Sequence, residues 1–145
     1  MKRKNTDQLL KELMDSNDLS RVLSDNSACF REGDLPHGLQ ALFDQQDMSK
    51  SALAKVSGIS EVYLHQVFSG RRTPSRDRLL CLCIGLGAST EETQSLLQQA
   101  HHAPLYARDK RDAVLLFGLS HSLTLPEIPM GRYVQHPLFL TFYVQ

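Results

Sequence analysis

The side chains best suited to chemistry in this chain are cations and hydrogen-bonding polar groups, and they crowd into one stretch. From Ser49 to Arg78 lie Lys50, Lys55, Arg71, Arg72, Arg76 and Arg78 against only Glu61 and Asp77, a net charge of +4. Residues 1–48 carry −3, residues 79–107 carry −2 and the remainder carries +1, so the 16 basic and 16 acidic residues cancel overall. Among the cations stand Ser60, Glu61, His65, Gln66 and Ser69. Cations hold anions, and amide and carboxylate side chains read donor and acceptor patterns. A short basic cluster is commonly no more than a solvated face. This one matters because of the helical pattern it overlaps.

Other chemistry finds little support. There is no Ser/His/Asp order, no paired-carboxylate motif and no glycine-rich phosphate loop, and Gly85-Leu86-Gly87 reads as a helix stop. His101 and His102 are adjacent, so their rings diverge, which disfavours metal binding. Cys29, Cys81 and Cys83 form an odd set without metal spacing, as expected of a reduced, cytoplasmic protein. Cys81 and Cys83 read as small core residues. Neither an enzyme nor a cofactor is expected. Lys2, Arg3 and Lys4 could open a signal peptide, but polar Asn5–Gln8 replaces the apolar stretch it would need. No apolar run approaches a membrane span.

These side chains need elements to hold them. With 145 residues, 41% hydrophobic and 22% charged, the chain is ordinary for one globular domain with short extensions. Apolar residues recur at helical spacing, and strand signals are absent before the last ten residues. Helices are expected from Thr6 to Met14, from Asp18 to Leu23, and from Asp34 to about Gln46 with Pro36 in the first turn. Ser49–Ser57 stops at Gly58, and Ser60–Ser69 stops at Gly70. A longer apolar helix runs from Thr73 to Leu86. Ser89-Thr90-Glu91-Glu92 has the form of a capping box and opens a helix to about Ala100. A last one spans Asp109–Ser122, with Ala113–Leu119 apolar nearly all round and expected to be buried. The reading is all-α, with about seven helices in three regions: an N-terminal helical extension and linker (1–33), a central domain (34–103), and a C-terminal helix with an irregular apolar tail (104–145).

The two short helices of residues 49–69 meet at Gly58-Ile59-Ser60. A sharp crossing needs a small residue at the contact, which Ala54 supplies, and a residue tolerant of positive φ, which Gly58 supplies. Leu53, Ile59, Leu64 and Val67 would fill the crease. This is a helix-turn-helix pattern. Small-Ala-x-x-x-Gly-Ile-Ser, followed by Phe-x-Gly-x-Arg-x-Pro-Ser, resembles the phage-repressor (lambda repressor and Cro) or XRE-type helix-turn-helix regulators over about Leu35–Ala100. More loosely, Thr90–Leu119, with Glu92-Thr93-Gln94 and Arg111-Asp112, resembles a subfamily with an additional helix after the domain. Ser57 departs from the family, where an apolar residue is common; neighbouring Val56 is expected to help fill the crease.

The resemblance implies a lambda-repressor-like bundle that binds double-stranded DNA sequence-specifically, as a repressor-like transcriptional regulator, with the Ser60–Ser69 helix in the major groove. It places base reading on Ser60, Glu61, Val62 and Gln66, with His65 near the backbone. Gln66 suits an adenine edge, Glu61 a cytosine amino group and Val62 a thymine methyl. Phosphate contacts are expected from Ser49, Lys50 and Ser51 at one helix start, and from Arg71, Arg72, Ser75 and Arg76 on the other flank.

The apolar helix 109–122 is expected to pack on the domain, and it or the tail is the candidate seam of a homodimer. Uncharged, β-prone Leu138–Val144 departs from the subfamily and should pack on its own domain or on a partner chain. The alternative function is a protein-interaction module on the same scaffold, antitoxin-like or adaptor-like, using that C-terminal region.

Overall fold

The computed structural model describes residues 4–30 and 34–134. They divide into two compact units, separated between Glu32 and Gly33. The first holds α1 (Thr6–Asp15), α2 (Leu19–Asp25) and a single 3₁₀ turn, Ser27–Cys29, inside the stretch expected to be a linker. Asn5 and Gln8 cap α1 reciprocally, and Asn26 Nδ2 ties the end of α2 to the Val22 carbonyl and the Glu12 carboxylate. Lys4 pairs with the same carboxylate. No residue of α1 is buried, and in α2 only Val22 is.

The second unit holds α3 (Leu35–Asp44), α4 (Lys50–Ser57), α5 (Glu61–Phe68), α6 (Arg76–Gly85), α7 (Thr90–Gln99), α8 (Lys110–Ser120), a 3₁₀ turn at Leu125–Glu127 and α9 (Met130–Tyr133). No strand occurs among the described residues. Each of α3–α8 begins on an Asp or Ser whose side chain accepts a backbone N–H of the first turn, so the sequence punctuates its own helices. Gly58, Gly70 and Gly87 follow α4, α5 and α6 with φ of 68°, 81° and 67°, the left-handed turn that glycine adopts without penalty.

α6 is the axis of this unit. Leu79, Leu80, Cys81, Leu82, Cys83 and Ile84 are all buried, and α4 and α7 pack against it. A helix apolar all round must lie inside. Burial pushes the Cys83 thiol up to about 12, and burial, with the Asp77 charge second, pushes Cys81 higher still; both stay protonated core residues. Leu39 of α3, Leu53 of α4, Leu64 of α5, Leu97 of α7 and Leu115 of α8 complete the core. Each such leucine contributes about 1.5–3 kcal/mol through burial.

Two expectations need correction. Val56 does not fill the crease: it is 45% exposed, while Ser57 is fully buried where α4 crosses α6 at Gly85. The approach is too close for a larger side chain, since a Cβ on Gly85 would run into Ser57 Oγ. Nor is Ala113–Leu119 wholly buried: Leu115, Gly118 and Leu119 are, but Phe117 stands 51% exposed. The apolar run Leu138–Val144 lies outside the described residues.

Candidate nucleic-acid interface

α4 and α5 meet as the sequence implies. Gly58 caps α4, its N–H donating to the Ala54 and Lys55 carbonyls, and Ser60 Oγ then accepts the Tyr63 N–H to start α5. Leu53, Ala54, Leu64 and Val67 are buried in the crease, and Ile59 is half-buried against it. α5 turns Tyr63, Leu64, Val67 and Phe68 inward. Its other face presents Ser60, Glu61, Val62, His65 and Ser69, all exposed, with Gln66 half-buried among them. Val62 is 70% exposed, an apolar side chain left in water on an otherwise polar face. His65 Nε2 lies 3.6 Å from Glu61 Oε1, one turn away.

The cations sit on aromatic seats. Lys50 Nζ lies 4.8 Å from the ring centre of Phe68 and 5.8 Å from that of Phe43, and these two rings meet edge-on at 5.6 Å. Arg72 and Arg78 both lie over Tyr63, at 5.2 and 4.4 Å. Contacts of this kind hold a cation in place without neutralising it. Tyr63 and Phe68 are five residues apart, about 140° around the helix axis. The two groups of cations therefore flank α5 on different sides.

The loop after α5 is tied to it. The Gln66 carbonyl accepts from the N–H groups of both Arg71, at 3.0 Å, and Arg72, at 3.2 Å, and Gly70 makes the left-handed turn between. Both arginines are exposed. Ser49 and Ser75 use their oxygens to cap α4 and α6, accepting from Ala52 and Arg78, which leaves each hydroxyl hydrogen to donate outward. Ser51 is exposed in the first turn of α4.

Arg76 stands apart from this set. Its guanidinium grips Asp112 with two bonds, of 3.2 and 2.9 Å, and donates to the Ala103 and Pro104 carbonyls at 3.0 and 3.2 Å. Beside it, Arg111 Nη2 donates to Asp77 at 2.6 Å. An Arg-Asp pair on α6 thus locks onto an Arg-Asp pair on α8. Removing Arg76 and Asp77 from the charge count of Ser49–Arg78 leaves five cations against one anion, so the net remains +4. Glu92 closes the cap of α7, and Gln94 bonds the backbone N–H and carbonyl of Leu105. The residues behind the looser part of the resemblance hold the fold together. Arg78, which shares the Tyr63 ring with Arg72, was not among the residues expected to contact phosphate. Its signal was the basic count, but nothing in the spacing says which of Arg76 and Arg78 faces inward.

A family model described as a helix-turn-helix domain matches residues 34–96, the α3–α7 segment built around this pair. Residues 34–96 are thus similar to helix-turn-helix domains. Folds of this kind serve DNA binding, with the second helix of the motif in the major groove. No curated protein and no solved structure gives a significant match. Among the described residues no helix is long and apolar enough to cross a membrane, and no group of three or more His, Cys, Asp or Glu is placed to hold a metal ion.

Proposed function

We propose that this chain is a sequence-specific double-stranded DNA-binding regulator of phage-repressor type that lays α5 in the major groove. The observation that carries this reading is the outward face of α5, with Val62 70% exposed beside Gln66, between cations seated on Tyr63 and Phe68. Ser60, Glu61, Val62 and Gln66 read base edges. Ser49, Lys50, Ser51, His65, Arg71, Arg72 and Ser75 contact phosphates, and Arg78 replaces Arg76 in that set. One short helix spans few base pairs, so two copies act on a two-fold symmetric site, repressing transcription in the cytoplasm.

Selection from random duplex oligonucleotides at fixed salt tests the reading. A palindromic consensus is the expected product. Lys50→Glu and Arg72→Glu should then weaken binding to all sequences alike, whereas Gln66→Ala should relax preference at one base pair by about 1–3 kcal/mol. No enrichment, or affinity indifferent to all three changes, would favour the interaction-module reading.

A further inference from the structure

An apolar groove of about 360 Å³ lies along α8 and α9, lined by Lys110, Ala113, Val114, Phe117, Pro129 and Tyr133. The rest of α8 is packed: Leu115 and Leu119 are buried, and Ile128 fills the notch above Gly118, where a Cβ would lie 2.7 Å from its side chain. Among the described residues the groove is thus a flank of α8 that nothing covers. Phe117 and Tyr133, 51% and 50% exposed, stand along it, and Lys110 is its one charged residue.

We propose that the groove is covered by the chain's own segment Leu138–Val144. Reach favours it: Tyr133 is on the groove wall, and the five residues to Leu138 span at most about 17 Å. So short a tether holds the segment near the groove at an effective concentration in the millimolar range. Chemistry favours it as well. From Tyr133 to Gln145 there is no Asp, Glu, Lys or Arg, and an extended chain would set Leu138, Leu140, Phe142 and Val144 on one face. Size fits as well. The groove lies near the lower end of the 300–1,000 Å³ typical of small-ligand sites, which suits a few side chains of one tethered segment. An exposed uncharged β-prone run and an exposed aromatic groove are each an aggregation liability, and docking removes both.

Disulfide trapping in the full chain tests the assignment. Cys29 is changed to Ser; Cys81 and Cys83, buried with their thiols held protonated, stay silent. Ala113→Cys is then paired with Leu140→Cys or with Phe142→Cys, and a control pairs each tail cysteine with Ser95→Cys on the exposed side of α7. At least one groove pair is expected to oxidise within single chains, several-fold more completely than its control. Bridges formed only in linked dimers would assign the groove to a second copy, and yields equal to the control would leave the segment without a place there; either result overturns the proposal. As a second measurement, Leu140→Ser/Phe142→Ser in the full chain should speed amide hydrogen exchange in α8 several-fold and leave α5 unchanged. Unaltered exchange in α8 would also overturn it.

Discussion

Arg76 and Arg78 are two residues apart on one helix, hence about 200° apart around its axis. They cannot do the same work. Arg76→Ala should cost about 2–4 kcal/mol of stability in urea unfolding, because it strips the guanidinium from Asp112, whose side chain is only 9% exposed. The value lies toward the low side because Arg76 itself is 23% exposed and the Tyr106 N–H still bonds the carboxylate. Arg78→Ala should instead reduce DNA affinity for every sequence, with the magnitude of the slope of log K against log salt falling by about 1. Base composition of the site residues was legible in the sequence; the division between these two arginines was not, since Asp112 is 36 positions away from its partner. Asp34 offers a pH test at the same scale. The His37 backbone N–H, and then its ring, hold the Asp34 carboxyl below the usual carboxylate range. The charged cap therefore stabilises α3 above the unfolded carboxyl's pKa and is lost as pH falls through the folded one. Asp34→Asn keeps a capping side chain and should flatten the acid limb of thermal stability below about pH 4.

At the scale of elements, helix starts and stops were the most readable feature, because a capping Ser or Asp and a left-handed glycine act on the nearest few residues. What packs between helices was less readable. Ser57 departs from the family pattern, yet α4 and α6 touch there, and the small side chain belongs to that contact. Gly85→Ala should destabilise the chain by about 1–3 kcal/mol through overpacking against Ser57 Oγ. The Ser57 hydroxyl is buried with no hydrogen-bond partner among the described residues, so Ser57→Ala should be neutral or stabilising in the same thermal assay. Phe117 marks a similar limit. Periodicity shows that a helix is apolar all round, but not which of its flanks the other described segments pack against.

At the scale of the whole molecule, the two units differ in how much they bury. α1 has no buried residue, and Leu10, Met14 and Leu19 are 53%, 77% and 62% exposed, whereas α6 is apolar and enclosed. Native-state hydrogen exchange should therefore show α1 and α2 opening far more readily than α5 and α6, with little dependence on DNA. In the sequence the hydrophobic period lapses between Ser24 and Gly33, and the short turn Ser27–Cys29 inside that stretch was not legible, because three residues leave no periodic signature. The Gln66 carbonyl carries a last consequence. It suspends both rim arginines from the C-terminal end of α5, so under the proposed function that helix cannot tilt or slide without dragging its anchors off the sugar-phosphate rails. Descendants of this chain would acquire new operators by exchanging single side chains at positions 61, 62 and 66, and the same three positions are where an engineer seeking to retarget it should begin.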